Sequence, residues 1–251
     1  MKINRYQKLI AFVCLFLLTA CATKDHSPDS FKQFTSKQIL AQGEQALSKK
    51  NYDDAIKCFE AIDALYPFDQ EVKQGQLDVI YAYYKAGNYP AALAAASRYI
   101  HLYPEDSSVD YAYYMKGRIN FDRDQTLLQK TSWWKTEELD VSNLNSAYVD
   151  FSELLVKFPG SKYAKDARRR MIYICNIAAE HELRIAKFYL DRKAYVAAIN
   201  RASNLVKHYG RALQVKEALQ IMMVAYQALG LDEQAKETRL IFNENFPASS
   251  S

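Results

Sequence analysis

The side chains best suited to chemistry in this 251-residue sequence are four cysteines and four histidines. His26, His101, His181 and His208 form no metal-ligand spacing with one another or with a cysteine. No phosphate-cradling glycine loop, nucleophile elbow or His-Glu-x-x-His string occurs. Cys58 and Cys175 each sit inside an apolar helical pattern, far apart in sequence. They read as small buried thiols, not as a bridge or a nucleophile. The expectation is therefore a protein with no catalytic residues, no metal and no cofactor. One cysteine stands apart. Cys14 lies within an apolar run, but Cys21 closes it.

The run around Cys21 has three parts. Lys2, Arg5 and Lys8 form a basic head, Leu9 to Leu18 an apolar stretch, and Leu18-Thr19-Ala20-Cys21 a small-residue site. That is the layout of a secretory signal, too short to span a bilayer as a stable helix. The string before Cys21 resembles the bacterial lipobox. The resemblance implies cleavage after residue 20, then a diacylglyceryl group and an N-acyl chain (a palmitate-type lipid) on Cys21. Several acyl chains on one residue would anchor a protein almost permanently, since each buried methylene contributes about 0.8 kcal/mol. Ala22, where an Asp would favour inner-membrane retention, implies export to the outer membrane. Residues 1–20 are expected to be removed and 21–35 to form a lipidated polar tether. Ala22 to Thr35 fully extended reach at most about 50 Å.

Loss of Lys2, Arg5 and Lys8 takes the formal net charge from +4 to +1. That leaves no basic field of the kind nucleic acid requires. The sequence is 49% apolar and 25% charged, as globular proteins are. No second apolar stretch is long enough to cross a membrane.

A repeat emerges from spacing. Ala55 and Pro67 lie twelve residues apart, as do Ala92 and Pro104, Ala147 and Pro159, Ala198 and Gly210, and Ala235 and Pro247. An aromatic residue precedes each breaker: Tyr66, Tyr103, Phe158, Tyr209 and Phe246. Seven residues after each Ala comes Ile62, Tyr99, Leu154, Leu205 or Phe242. This predicts a helix with one apolar stripe, a small residue that admits a neighbouring helix, and a stop. Gly43, Ile80 and Gly117 recur at a spacing of 37 in the preceding helices, with turn residues Asn51, Gly87-Asn88 and Gly230 between. The pattern looks like the tetratricopeptide repeat, whose helix pairs stack because one pair cannot bury its apolar faces alone. The expected fold is all-α: a right-handed superhelical solenoid of five such pairs over residues 36–248, with a tail at 249–251. Pro104 to Pro159 spans 55 residues, an insertion of 18, and Pro159 to Gly210 spans 51, an insertion of 14. Fourteen residues preserve the helix face over about four turns. They predict an extended helix from about Lys162 to Asp191. The polar stretch from Asp122 to Asn143, with Trp133-Trp134, reads as an insertion loop with at most one helical turn.

Longer strings sharpen the resemblance: Tyr66-Pro67-Phe68, the run from Gln76 to Lys85, Asp110 to Gly117, Phe158 to Tyr163, Glu182 with Ala186-Lys187-Phe188-Tyr189, and Ala194 to Ala202. Together with the Cys21 site they resemble the lipoprotein family of the outer-membrane β-barrel assembly (BAM) machinery, over about residues 36–247. The resemblance implies a non-enzymatic scaffold on the periplasmic face of the outer membrane. It implies partners too: a POTRA domain of the barrel subunit BamA, other Bam lipoproteins, and unfolded outer-membrane protein segments. A pilotin-like lipoprotein for secretin or pilus assembly is the alternative, and an envelope enzyme a third reading. One departure stands out. Glu137 to Asn143 carries no Arg where the family usually has an acidic-basic string.

Within that frame Tyr83 and Tyr113 are expected in the core. Leu77, Tyr81 and Tyr84 follow i, i+4, i+7 on another face, and Tyr111, Tyr114 and Arg118 repeat it. These residues, with Lys85, are read either as a peptide groove edged by cations or as a seal between repeats. Asn200 and Arg201 match the family's Asn-Arg and are candidates for partner contact, or for a local ion pair. Arg168-Arg169-Arg170 spread around a helix and read as a solvated face.

Overall fold

The computed structural model describes residues 28–130 and 142–247. After a 3-10 turn at Pro28–Phe31 come ten helices: α1 Ser36–Ser48, α2 Tyr52–Leu65, α3 Glu71–Lys85, α4 Tyr89–Leu102, α5 Val109–Lys130, α6 Ser142–Lys157, α7 Ala164–Asp191, α8 Tyr195–His208, α9 Val215–Ala228 and α10 Asp232–Asn245. The described residues contain no strand. The all-α expectation holds.

The even-numbered helices stop in one way. The aromatic residue after each donates its backbone N–H to the carbonyl four residues back: Tyr66 to Ile62 (2.9 Å), Tyr103 to Tyr99 (2.9 Å), Phe158 to Leu154 (2.8 Å), Tyr209 to Leu205 (2.8 Å) and Phe246 to Phe242 (2.8 Å). Tyr66, Tyr103, Tyr209 and Phe246 have φ between −125° and −133°, outside the helical region. A following Pro enforces that departure at Tyr66, Tyr103 and Phe246, because its ring crowds a helical residue before it. Upstream, Ala55, Ala92, Ala147 and Ala198 are wholly buried and Ala235 nearly so. A small residue buried at that place leaves room for a neighbouring helix to approach closely.

The turns inside the pairs also repeat. Lys50, Gly87, Lys193 and Gly230 all have φ between 59° and 78°. The N–H of each following residue donates to the carbonyl five back: Asn51 to Ala46, Asn88 to Tyr83, Ala194 to Tyr189 and Leu231 to Tyr226, each at 2.9 Å. This is the Schellman closure of a helix end, in which glycine avoids the left-handed penalty and lysine does not. Asn51 and Asn88 then cap the next helices, accepting from the N–H groups of Asp54 and Ala91.

The chain forms two compact units, one up to Ala82 and one from Tyr83, the boundary falling inside α3. In the first unit α1 packs on α2. A Cβ at Gly43 would lie 2.5 Å from the Phe59 ring, so glycine lets the two helices close over that ring. The 3-10 turn also packs on α2. The Tyr66 hydroxyl donates to the Phe34 carbonyl at 2.6 Å, and Thr35 forms a capping box with Gln38. Residues 28–35 are thus part of the folded body, which shortens the expected tether. In the second unit each helix from α4 to α10 packs on the next. Gly117 repeats the Gly43 device, its Cβ position 2.6 Å from the Phe151 ring. The long helix α7 spans 28 residues, close to the expected range. Ala179, Leu183, Ala186, Ala198, Ala202, Leu205, Ala218 and Leu219 build one core across α7, α8 and α9.

One element departs from expectation. Residues 122–130, expected as loop, continue α5. They contain no Gly or Pro, and Gln, Leu and Lys are good helix formers. Their polarity argued for a loop only because a solvated helix needs no apolar stripe. Trp133-Trp134 and most of the arginine-free stretch lie outside the described residues. Tyr113 is buried as expected, while Tyr83 and Cys175 are only half-buried.

Two stability outcomes follow from these geometries. Lys50→Gly and Lys193→Gly should each raise stability by roughly 0.5–1 kcal/mol, since relief of the left-handed strain exceeds glycine's added chain entropy. Gly117→Ala should cost about 1–3 kcal/mol, because the fully buried Phe151 ring has nowhere to move. Urea titration followed by circular dichroism measures both.

Candidate functional site

The densest polar arrangement lies in the second unit and links three helices. Asp122 on α5 accepts from the Tyr84 hydroxyl at the end of α3 and from Arg118 Nε at 2.9 Å. Arg118 Nη1 also reaches the Tyr114 hydroxyl (3.3 Å), which donates to Asp166 on α7 at 2.8 Å. Arg170 closes the ring, donating from Nε to Asp166 at 2.6 Å and from Nη1 to Asp122 at 3.5 Å. Rings support the charges. Tyr114 stacks on Tyr163 with centroids 4.6 Å apart and planes 13° apart, and Arg170 lies 4.7 Å from the Phe121 centroid.

Local sequence places each member. Arg118–Asp122 and Asp166–Arg170 are i, i+4 pairs on single helices, so each helix presents a preassembled charge pair. The bonds from Tyr114 to Asp166 and from Arg170 to Asp122 join the pairs between α5 and α7. The electrostatics follow from burial and partners. Burial, then the bond to the Asp122 carboxylate, push the Tyr84 phenol up to about 12. Burial raises Tyr114, with Asp166 acting in the same sense and Arg118 against it. Burial opposes the charge on Arg118, yet the bonds to Asp122 and Tyr114 hold it above its ordinary value. For Asp166 burial acts upward, but bonds from Arg170 and Tyr114 and the nearby arginine charges bring it below the ordinary carboxylate value.

This changes the expected peptide groove. Leu77 and Tyr114 are buried, so they serve packing and do not line a surface. In a stacked array a helix is covered on more than one side, and an i, i+4, i+7 row is as much a seam as a groove. Arg118 and Tyr84 face Asp122, so Arg118 is already paired. Tyr111 is half-buried, its ring 5.7 Å from that of Tyr163. Tyr81 and Lys85 are exposed, Tyr81 in the first unit and Lys85 in the second. Asn200 is exposed, and Arg201 Nη1 contacts Glu182 of α7 at 3.4 Å, a local ion pair. Cys21 lies outside the described residues. Sequence reasoning missed Asp122, Asp166 and Arg170. Asp122 falls in the stretch expected as loop, and Arg170 in the row expected as a solvated face. The two i, i+4 charge pairs were the signal that could have found them.

Further polar ties bind α5 to α6 and the loop that follows. Asn120 donates to Asp150 at 2.6 Å in a buried setting, and Lys157 donates to the Tyr113 hydroxyl at 2.7 Å. The Ser161 hydroxyl donates to Asp110 at 2.6 Å. Among the described residues no group of His, Cys, Asp and Glu is placed to hold a metal ion, and no helix is long and apolar enough to cross a membrane.

Helix pairs with a common stop and polar bonds between helices define a helical-repeat protein. The sequence profile of the YfiO family, described as outer membrane lipoprotein, matches residues 32–240. A Neisseria meningitidis serogroup A protein named outer membrane protein assembly factor BamD is 36% identical over 247 residues, 97% of this chain and 92% of its own. The BamD of Vibrio cholerae is 35% identical over 241 residues, 96% of this chain and 99% of its own. Among solved structures the MamA protein gives a TM-score of 0.35 at 16% identity over 86% of this chain and 97% of that one, too slight a likeness to argue from. The chain belongs to the BamD family of outer membrane lipoproteins.

The ring of bonds carries a pH signature with two edges. Asp166 is depressed in the folded state, so its contribution is present above the ordinary carboxylate value near 4 and is lost as pH falls through the folded one. Tyr84 is raised, so its contribution is complete below about pH 10 and is lost as pH climbs towards about 12. Denaturant midpoints measured across pH should fall less steeply in acid for Asp166→Asn than for wild type. They should fall less steeply between about pH 10 and 12 for Tyr84→Phe.

Proposed function

We propose that this chain is a non-enzymatic, lipid-anchored scaffold of outer-membrane β-barrel assembly. The observation that carries the reading is alignment over nearly the whole chain with relatives named outer membrane protein assembly factor, at 36% and 35% identity. The helix-pair fold supports it, because repeat arrays present side chains over extended surfaces suited to protein partners. Cys21 bears the diacylglycerol and the N-acyl chain. Six residues lie between it and Pro28, the first described residue, so full extension keeps Pro28 within about 25 Å of the anchor.

The finer reading assigns faces. Asn200 and Arg201 on α8 contact a POTRA domain of BamA, with Arg201 exchanging part of its bond to Glu182 for a partner carboxylate. Arginine anchors of this kind are over-represented in interfaces. Tyr81 on the first unit, and Lys85 and Tyr111 on the second, each contact barrel-protein segments in their own right. Leu77, Tyr84, Tyr114 and Arg118 hold the helices that carry them. Other Bam lipoproteins complete the complex.

Depletion in the native host should lower folded porins in the outer membrane while secretins persist. The reverse outcome contradicts the reading and favours a pilotin. Arg201→Glu should reduce co-purification with BamA at least fivefold while leaving the circular dichroism unchanged. Tyr81→Ala and Lys85→Ala should each weaken binding of a barrel-protein C-terminal peptide by about threefold, as anisotropy measures.

A further inference from the structure

Helix α7 carries two stripes. One, through Ala167, Ile174, Ala178 and Leu183, is buried in the second unit. The other, through Arg168, Met171, Ile172, Cys175 and Asn176, follows i, i+3, i+4, i+7, i+8 and faces a cleft of about 520 Å³. Tyr148 and Leu155, seven residues apart on α6, form the opposite wall. The turn after α8, from His208 to Ala212, forms the third side. Ile172 is 62% exposed and Tyr148 38%. Met171, Ile172 and Cys175 thus give the cleft an apolar floor open to solvent, the kind of concave surface that takes an apolar side chain.

The rim decides the occupant. Arg168, Arg211 and His208 line the cleft, and no acidic residue does. Arg168 and Arg211 are exposed, and among the described residues no carboxylate pairs with either. An apolar floor between unpaired guanidinium groups suits an apolar side chain flanked by carboxylates. We propose that this cleft is a docking site for a polypeptide segment with an aliphatic or aromatic anchor beside acidic residues. The anchor enters between Tyr148, Leu155 and Ile172, and the carboxylates meet Arg168 and Arg211. The site is distinct from the bond ring around Asp122 and from the Asn200–Arg201 face, and it does not depend on the identity of the partners proposed above.

Cys175 lies in the cleft wall as a free, half-buried thiol, whereas Cys58 is buried. It therefore reports occupancy. The test uses the full-length protein in detergent and follows modification of Cys175 by N-ethylmaleimide, read by mass spectrometry of its tryptic peptide. The probes are a blocked hexapeptide with a Leu-Phe pair flanked by Asp and Glu, and its counterpart with Lys at the flanks. The acidic probe at millimolar concentration should slow modification at least threefold, and the lysine probe should not. Arg168→Glu with Arg211→Glu, both at exposed positions, should abolish that protection without changing the circular dichroism. Equal protection by the two probes, protection by neither, or protection by the acidic probe that survives the double charge reversal would overturn the proposal. So would protection by anionic phospholipid vesicles in the absence of any effect of the acidic probe, since that outcome assigns the cleft to lipid.

Discussion

Close approach of helices at a small residue is the constraint on which this structure rests. Ala55, Ala92, Ala147 and Ala198 have no exposed surface, and Gly43 and Gly117 sit directly against Phe59 and Phe151. Where one helix offers a ring, its partner offers no side chain at all. That complementarity sets the distance within a pair. The stop that follows is set locally, by the breaker after each aromatic residue. A backbone N–H bond to the same relative carbonyl ends all five even-numbered helices, which is the structural form of the twelve-residue spacing.

Polar bonds are then laid over the apolar frame. The ring through Asp122, Arg118, Tyr114, Asp166 and Arg170 would be weak if its members were solvated, because exposed ion pairs contribute little. Partial burial and shared acceptors make it a lattice whose members depend on one another. The division of labour is physical: buried small residues set spacing and half-buried charges set orientation. A scaffold of the kind proposed above needs both to be rigid if its exposed side chains are to be held in a fixed pattern.

The repeat was legible because its markers act on the backbone. Proline, glycine and the residue before proline restrict φ and ψ wherever they occur, so Pro67, Pro104, Pro159 and Pro247 could be read without a neighbour in view. The length of α7 was legible because an insertion must preserve the helix face. The lattice was not legible. Whether Asp122 meets Arg170 depends on the offset between two helices 48 residues apart, which no local pattern states. The continuation of α5 was hidden for a related reason, since a polar helix lacks the stripe that announces one. The face through Leu77 and Tyr114 was half-legible. Its periodicity was right, but a helix covered on several sides carries several apolar stripes, and spacing alone does not say which of them meets solvent.

The central claim is that buried alanines fix the separation of paired helices, and α4 contains its own control. Ala92 is fully buried and Ala94, two residues on, is exposed. Valine at either position carries the same small helix-propensity penalty, so the difference between the two variants isolates packing. Denaturant unfolding should show Ala92→Val less stable than Ala94→Val by roughly 1–3 kcal/mol. Equal stabilities would contradict the account, because they would mean that the helices have room to spare where alanine now sits.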